Sequence, residues 1–150
     1  MELHKHTPIE MPVMEIKNFT LYELDATGIT SLFSGSNSQR FADRDRIENI
    51  NYTDSSKKLK VNIKADSGIH KGENIDLRGD VMYLREDGLG FKSEHAQYQK
   101  KSAIFSTDTD FIISKGSSIA TGSSMQYDSK KQTTKATNIH TVYQLEESNK

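Results

Sequence analysis

The sequence predicts an all-β fold, and three observations support that prediction. In residues 74–85, Ile75, Leu77, Val81 and Tyr83 fall on one parity, and mainly charged residues fall on the other. Successive side chains of a strand point to opposite faces, so this segment is predicted to be one long strand with an apolar face. No amphipathic helix of ten residues is found anywhere in the chain. The chain is also rich in Gly, Ser, Thr, Asn and Asp, which favour short strands joined by tight turns.

The remaining strands follow from alternation and from the turn signals between alternating segments. In residues 13–24 the apolar parity changes near Asn18, which predicts a bulge or a bend there. Residues 40–46 hold three arginines and two aspartates around Phe41 and are interpreted as an exposed connection. The predicted strands are residues 13–24, 29–34, 47–53, 58–65, 74–85, 89–92, 94–99, 103–107, 111–115, 118–122, 125–128, 132–135 and 137–145.

Aromatic or histidine side chains recur at a nearly constant spacing along the chain. Phe41, His70, Tyr98 and Tyr127 lie 29, 28 and 29 residues apart, and each is followed by a polar tight turn. A repeat of that length is typical of stacked supersecondary units that bury their apolar faces against their neighbours. The interpretation is four units that form two facing sheets around a continuous inner groove, although any meander of short strands shows some regularity of this kind.

Length and composition indicate one domain with a thin core. The chain has 150 residues, of which 33% are hydrophobic and 27% charged, and its mean hydropathy is −0.72. Such a composition favours a narrow stack of sheets with a partly open interior. Residues 1–12 show no usable period and are predicted to be a flexible lead-in, residues 13–147 the domain, and residues 148–150 a tail.

Charge and cysteine content exclude several functional classes. Twenty basic and 21 acidic side chains are interspersed and give a net charge of −1, so no nucleic-acid partner is expected. The chain has no cysteine, and it therefore has neither a disulfide framework nor a thiolate metal site. It contains no run of 18 apolar residues.

No pattern in the chain indicates catalysis or a cofactor. Asp108 and Asp110 bracket Thr109 in a predicted turn, where a solvated pair of carboxylates is expected rather than acid–base catalysis. No Gly-x-Ser-x-Gly nucleophile motif occurs, and the histidines have no zinc-binding spacing. We therefore expect no catalytic residue, no metal and no cofactor. The histidines are His4, His6, His70, His95 and His140.

Several segments together resemble a known family. Residues 65–70 (Ala-Asp-Ser-Gly-Ile-His), 75–81 (Ile-Asp-Leu-Arg-Gly-Asp-Val) and 91–98 (Phe-Lys-Ser-Glu-His-Ala-Gln-Tyr) resemble the OstA-like domain of Gram-negative lipopolysaccharide export proteins. Residues 14–24, followed by Asp25 and Gly28, are similar to the opening of the LptC group within that family, and residues 120–128 match its late repeat. The resemblance covers about residues 13–146.

The resemblance implies a fold, a cargo and partners. It implies a V-shaped β-jelly roll of two antiparallel sheets in the periplasm, whose hydrophobic groove carries the lipid A acyl chains of lipopolysaccharide. An ABC transporter complex of LptB, LptF and LptG would deliver the lipid at the N-terminal edge. The bridge protein LptA would receive it at the C-terminal edge. Members of the group have an N-terminal helix in the inner membrane, which is expected upstream of this chain and is missing from it.

Inward-facing apolar positions are the expected groove, and the terminal strands are expected to pair with partners. Three alternatives stay open: a soluble LptA-type bridge protein, a strand-addition adaptor with an ordinary core, and a carbohydrate-binding or hydrolytic β-sandwich. The expected edge contacts are Phe19, Leu21, Leu24, Ile139, Thr141 and Tyr143. The expected groove residues are Leu59, Val61, Ile63, Ile75, Leu77, Val81, Tyr83, Phe91, Ile113, Ile119 and Ile139.

Overall fold

A computed structural model of the chain describes residues 10–56 and 58–142, which form an all-β structure without a helix. All strand pairings in this part of the chain are antiparallel, and the sheet is not closed on itself. The predicted class, an all-β jelly roll, is confirmed. The strands are β1 (Met14–Asp25), β2 (Gly28–Arg40), β3 (Asp45–Asp54), β4 (Val61–Lys71), β5 (Asn74–Arg85), β6 (Gly90–Gln99), β7 (Ile104–Thr107), β8 (Phe111–Lys115), β9 (Ser118–Gly122), β10 (Ser124–Asp128), β11 (Thr133–Thr137) and β12 (His140–Val142).

The strands form one meander if short strands that lie end to end are counted as one long strand. β1 to β6 follow one another across the sheet in sequence order. The two halves of β6 then pair with different strands, residues 97–99 with β7 and residues 90–93 with β8. On one side, β8 pairs with β9, and β9 pairs with β12. On the other side, β7 pairs with β10, and β10 pairs with β11. The pairs β7–β8, β9–β10 and β11–β12 are therefore single strands interrupted once, so that nine long strands span the sheet.

All nine long strands are interrupted along one line across the sheet, which we call the crease. Residues on this line are missing from the regular cross-strand pairs, or the register shifts there. The crease divides the sheet into half-sheet A, which contains β7, β10 and β11, and half-sheet B, which contains β8, β9 and β12. Each of β1 to β6 contributes one half to both. The interrupted positions are Asn18, Ser36, Asn49, Asp66, Gly79, Asp80, Glu94, residues 108–110, Ser123 and residues 138–139.

Asparagine supplies the unusual backbone conformation at several points on the crease. Asn18, Asn49 and Asn138 have φ angles of 51°, 56° and 54°. These angles lie in the left-handed region, which asparagine tolerates better than most residues. Asn49 Nδ2 donates to Ser36 Oγ at 2.7 Å, and Asn138 Nδ2 donates to Ser123 Oγ at 2.6 Å. The same Asn-to-Ser contact thus joins neighbouring strands at two separate places on the crease.

The crease lets both halves of a strand point their apolar side chains inward. On β3 the buried positions step from Ile47 to Ile50, an odd interval that reverses the alternation. On β1, Ile16 before Asn18 and Phe19 after it line the same cavity. The bend predicted at Asn18 from the change of parity is therefore confirmed.

The core lies between the two half-sheets. The ring centroid of Phe105 on half-sheet A is 5.0 Å from that of Tyr83 and 4.9 Å from that of Phe91, which both belong to half-sheet B. Aromatic pairs at these separations are worth about 0.5–1.5 kcal/mol beyond the burial of their area. Contact between rings of opposite half-sheets means that the sheet is folded over along the crease. The buried apolar residues of this core are Ile47, Ile50, Tyr52, Ile63, Ala65, Ile75, Leu77, Val81, Tyr83, Phe91, Ala96, Tyr98, Phe105, Phe111 and Met125.

Strand bounds agree with prediction for three strands and differ for others, because polar residues continue some strands and because residues 58–60 alternate but precede β4. β5, β8 and β9 have the predicted bounds. β2 extends to Arg40 instead of ending at residue 34, and β4 is Val61–Lys71 instead of residues 58–65. The connection predicted at residues 40–46 is wrong at both ends, because only residues 41–44 lie between strands. The added stretches are mostly polar, so they lack the apolar alternation by which a strand is predicted.

The ends of the chain lie partly outside the described residues. The predicted lead-in begins nine residues before the description does, and the strand predicted at residues 137–145 extends beyond its end. Within the described part, β11 ends at Thr137 and β12 covers His140–Val142. The domain boundaries therefore stay predictions.

We expect Gly79→Ala to lower the free energy of unfolding by about 2–3 kcal/mol, because the crease on β5 requires a glycine. Gly79 has a φ of 84°, and a Cβ there would lie 2.6 Å from Asp66 Oδ2 and 2.8 Å from Asp66 Cβ. The left-handed conformation costs an alanine about 1–2 kcal/mol, and displacing Asp66 adds about 1 kcal/mol. Urea unfolding measures the loss.

Gly72→Ala is the matched control for this substitution. Gly72 also has a positive φ, 60°, but no heavy atom lies within 4 Å of an added Cβ. Its replacement should cost only the conformational part, about 1–2 kcal/mol. Equal losses in the two variants would show that the approach of Asp66 to the crease contributes nothing.

Candidate functional site

A cavity of ≈ 340 Å³ lies on the inner side of β1, β2 and β3, where the sheet ends at its first strand. We call it the β1 cavity. Small-ligand sites have volumes of about 300–1,000 Å³, so the space suits a slender ligand or part of a larger one. Both halves of β1 contribute to the lining. Its apolar residues are Met14, Ile16, Phe19, Leu21, Phe33, Ile47 and Tyr52.

The inner side of β1 is half exposed, since none of the described strands lies beyond it. Met14 is 48% exposed, Ile16 45% and Leu21 60%. Among the described strands, β1 pairs only with β2. Fully burying a side chain of this kind is worth about 1.5–3 kcal/mol. An apolar ligand that covered their exposed halves would therefore gain about 1 kcal/mol per residue.

Three aromatic rings and a glycine form the floor of the β1 cavity. The ring centroids of Phe19 and Phe33 are 5.9 Å apart, as are those of Phe33 and Tyr52. A Cβ on Gly35 would lie 2.8 Å from the Phe19 ring and 2.9 Å from the Ile47 side chain. The glycine therefore allows the Phe19 ring to approach the backbone of β2 closely. Burial raises the pKa of Tyr52 well above its ordinary value, so its hydroxyl stays protonated.

The two ends of the β1 cavity are polar. At one end, the Nε and Nη2 atoms of Arg40 donate to the Asp45 carboxylate at 2.8 and 3.3 Å. His70 Nδ1 lies 3.8 Å from Asp45 Oδ2. At the other end, the Ser31 hydroxyl donates to the Glu23 carboxylate in a short hydrogen bond. The arrangement is an apolar trough between two polar ends, which suits an amphiphile.

Most of the residues predicted to line a groove form the packed core in this structure. Val61 and Ile113 are partly buried and pack against that core, and Leu59 lies half-buried in the bend before β4. Ile119 and Ile139 are 42% and 45% exposed. The six that are at most 6% exposed are Ile63, Ile75, Leu77, Val81, Tyr83 and Phe91.

Beyond the β1 cavity, the interior holds two smaller spaces that rings of the core surround. A space of ≈ 20 Å³ lies among side chains that include Tyr52, Tyr83 and Phe105. One of ≈ 130 Å³ lies towards the last strands and is lined by Phe91 and Met125, among others. The aromatic side chains of the core therefore separate the β1 cavity from the space near β11.

Two of the residues predicted as edge contacts on β1 point into the cavity. Phe19 and Leu21 line it, whereas Leu24, near the end of β1, is 70% exposed. Tyr22, on the opposite face of β1 from Leu21, is 58% exposed. An edge of this strand that pairs with a partner would therefore lie directly beside the cavity.

The residues predicted as contacts at the C-terminal edge are accessible where the structure describes them. Ile139 is 45% exposed, and Thr141 on β12 is exposed. Tyr143 lies outside the described residues. Within the described part, β11 pairs only with β10 and β12 only with β9, so each has one unpaired edge.

Sequence reasoning missed the polar residues of the cavity and five of its apolar ones, namely Met14, Ile16, Phe33, Ile47 and Tyr52. For β1 the signal was present, because a change of parity at a bend places the apolar residues of both halves on one face. Periodicity shows which face is apolar. It does not show which part of that face is covered by another strand. The cavity lies where none of the described strands covers the face.

His95 belongs to a separate cluster on the outer face of half-sheet A. Its Nε2 lies 2.6 Å from Asp76 Oδ1 and its Nδ1 lies 3.0 Å from Asp108 Oδ1. Partial burial disfavours the charged ring, but the hydrogen bonds to the two carboxylates outweigh burial and raise the pKa of His95. In the charged form of the ring, both nitrogens donate to these carboxylates. In the described parts of the chain, no three His, Cys, Asp or Glu side chains are placed to hold a metal ion.

Fold and cavity define a class of protein: an antiparallel jelly roll, unclosed at its edges, with an apolar cavity along its first strand. Comparison with known families gives a specific match. The family described as lipopolysaccharide-assembly, LptC-related, matches residues 4–144. The chain belongs to this family, which confirms the resemblance noted in its sequence.

Membership assigns the chain to lipopolysaccharide transport in the periplasm, with lipopolysaccharide and the Lpt complex as partners in general. The family is one of transport components and is not known as a family of enzymes. No curated protein matches the chain. In the two described segments, no helix is long and apolar enough to cross a membrane.

We expect His95 to titrate above the ordinary histidine pKa of about 6.5, because Asp76 and Asp108 stabilise its charged form. Its contribution to the free energy of unfolding is then fully present below about pH 6.5 and is lost as the pH rises through the raised pKa of the folded state. A histidine NMR titration measures the pKa, and urea unfolding against pH measures the contribution. Asp108→Asn should lower the pKa of His95. A pKa at or below 6.5 in the unaltered protein would contradict the cluster.

Proposed function

We propose that this chain accepts acyl chains of lipopolysaccharide in the β1 cavity and passes the lipid on to a neighbouring jelly roll. In this proposal the lipid comes from the LptB, LptF and LptG transporter and goes to an LptA-type bridge protein. The observation that carries the proposal is the half-exposed apolar inner side of β1. A ligand that covered it would complete the core at an edge where none of the described strands does.

The physical need for such a carrier follows from the cost of exposing lipid to water. Burying one methylene group is worth about 0.8 kcal/mol, so exposing an acyl chain of about a dozen carbons to water costs on the order of 10 kcal/mol. Free diffusion across an aqueous compartment is thus closed to it. The side chains of Met14, Ile16, Leu21 and Phe33 form an apolar trough in which the acyl chain is shielded from water. No chemical step is needed for this.

Transfer also requires that the carrier release its cargo. The β1 cavity is open along its edge and floored by only three rings, so an acyl chain there keeps some contact with solvent and is bound weakly. Passage deeper into the domain requires Tyr83, Phe91 and Phe105 to change their packing. In the proposal, therefore, the lipid enters at β1, and the residues predicted as groove become its lining only when the core rings move apart.

Strand addition is the proposed mode of contact with both partners. An unpaired strand edge presents a row of N–H and C=O groups that can template a strand of another chain. The β1 edge is twelve residues long and is proposed to face the transporter, and the shorter β11–β12 edge is proposed to face the bridge protein. Each contact would extend the inner apolar surface from one domain into the next.

A second candidate is a purely structural adaptor, which joins partners through its edges and carries no lipid. The tight packing of the predicted groove residues, six of them at most 6% exposed, favours this candidate. The two proposals differ in whether the β1 cavity is ever occupied. A photo-crosslink from inside the cavity separates them.

We expect benzoylphenylalanine at Leu21 to crosslink lipopolysaccharide in cells that carry the transport system, and benzoylphenylalanine at Tyr22 not to do so. The two positions are adjacent on β1 and nearly equally exposed, at 60% and 58%, but only Leu21 lines the cavity. Immunoblotting for lipopolysaccharide on the purified protein reads out the crosslink. Equal yields at the two positions, or none at Leu21, would favour the adaptor.

We expect removal of residues 137–150 to abolish binding to an LptA-type bridge protein, because it takes away β12 and the end of the β11 edge. A pull-down with the purified bridge protein measures binding, and far-UV circular dichroism checks that the remaining strands are folded. Removal of residues 1–12 is the control and should leave this binding intact. A folded truncated protein that still binds would show that the bridge protein uses another edge.

A further inference from the structure

Three polar side chains, a guanidinium, a carboxylate and an imidazole, share one row at the end of the β1 cavity. Arg40 pairs with Asp45 across β2 and β3, and Asp45 pairs with His70 across β3 and β4. All three line the cavity. The next member of the row, Ile75 on β5, is buried and apolar. Polar groups therefore occupy the inner face only at the part of this row that borders the cavity.

Lys100 adds a second fixed positive charge at the same end. It follows β6, its backbone N–H donates to Glu73 O at 2.8 Å in the turn between β4 and β5, and its side chain lines the cavity. Among the described residues it makes no ion pair with an acidic side chain. Two cations, Arg40 and Lys100, face the single carboxylate of Asp45. The formal balance at this end is +1 with His70 neutral.

Two polar groups at this end also have no hydrogen-bond partner there among the described residues. Asp45 accepts from Nε and Nη2 of Arg40, and the Nη1 group has no described acceptor at this site. The Nε2 atom of His70 is buried and has no hydrogen-bond partner within the described residues. The opposite end of the cavity carries the Glu23 carboxylate. The cavity is thus electrically polarised, positive at the Arg40 end, negative at the Glu23 end and apolar between them.

We infer that the Arg40, His70 and Lys100 end is a headgroup subsite for a phosphate, which orients an alkyl chain along the cavity with its tail towards Glu23. The inference rests on the proposed function, since it requires that the cavity hold an alkyl chain. A guanidinium is suited to phosphate by its planar fork of donors, and a lysine adds a point charge. Glu23 repels an anion from the other end, so one orientation is favoured over its reverse.

Decyl phosphate and a neutral decyl glucoside, both used below their micelle-forming concentrations, test the subsite with the purified chain. Lys100→Gln should weaken binding of decyl phosphate about fivefold, the upper value for an ion pair in contact with solvent. It should leave binding of decyl glucoside unchanged. Lys101→Gln removes the same charge from the next residue, which does not line the cavity, and should change neither affinity. Isothermal titration calorimetry or amide chemical shifts give the affinities.

Intermolecular NOEs test the orientation directly. In the bound complex, the methylene next to the phosphate should give NOEs to the ring protons of His70, and the terminal methyl should give them to Leu21 and Phe33. The reverse set of contacts would overturn the orientation. Equal affinities of Lys100→Gln and unaltered protein for decyl phosphate would overturn the subsite while the cavity still binds decyl glucoside. Failure of both amphiphiles to bind would overturn lipid carriage in the β1 cavity as well, so the two failures are distinguishable.

Discussion

A strand that bends while both of its halves face the same core must change its alternation at the bend, and this constraint shapes the entire sheet. Period-two alternation carried straight through a bend would turn one half of the apolar residues towards solvent. The chain meets the constraint with odd steps, such as Ile47 to Ile50 on β3, and with left-handed asparagines at Asn18, Asn49 and Asn138. β5 uses a different device. Gly79 and Asp80 both have positive φ, so the even step from Leu77 to Val81 keeps both residues buried. The polar residues along the crease therefore allow the apolar residues on both sides of it to face the core.

The cavity is a direct outcome of the same architecture. In the middle of the folded sheet, each strand half has neighbours on both sides and rings of the opposite half-sheet above it, and Val81 and Ala96 are accordingly fully buried. Among the described strands, β1 has a neighbour on one side only, but its apolar side chains still alternate towards the inner face. An apolar surface without a cover results, and its two ends carry the polar residues with which β1, β2 and β3 reach solvent. In the proposed function, this uncovered core edge is what an alkyl chain of the lipid would cover.

Much of the fold could be predicted from the sequence, because alternation and spacing report on local geometry. The spacing of about 29 residues has a concrete meaning: His70 pairs with Ile75, Ile75 with Tyr98, Tyr98 with Phe105 and Phe105 with Tyr127, so three of the four repeated side chains lie in one row across the sheet. One period is one pair of long strands. Phe41 stands just outside the row, which continues through Arg40 instead, and its ring lies 4.4 Å from the Arg44 guanidinium.

What could not be predicted depends on contacts between distant parts of the chain. Residues 37–40 continue β2 without apolar alternation and are held by their pairing with β3, and such pairing leaves no mark in the local sequence. The predicted groove and the observed cavity differ for a related reason. Ile63 and Met14 are both inward and apolar, but only the fold places Ile63 in the centre and Met14 at an uncovered edge.

The order of the strands bears on how this domain opens. Because each long strand pairs only with its neighbours in the chain, β1 is held by hydrogen bonds to β2 and by the packing of its inner side chains on one flank alone. Local unfolding proceeds in contiguous units whose cost follows the contacts that they lose. Separation of β1 therefore breaks its pairing with β2 alone and leaves the pairings of the seven long strands beyond β2 intact. Under the proposed function, a ligand that enters at β1 displaces the pairing of only one strand, because the inner strands are held on both sides.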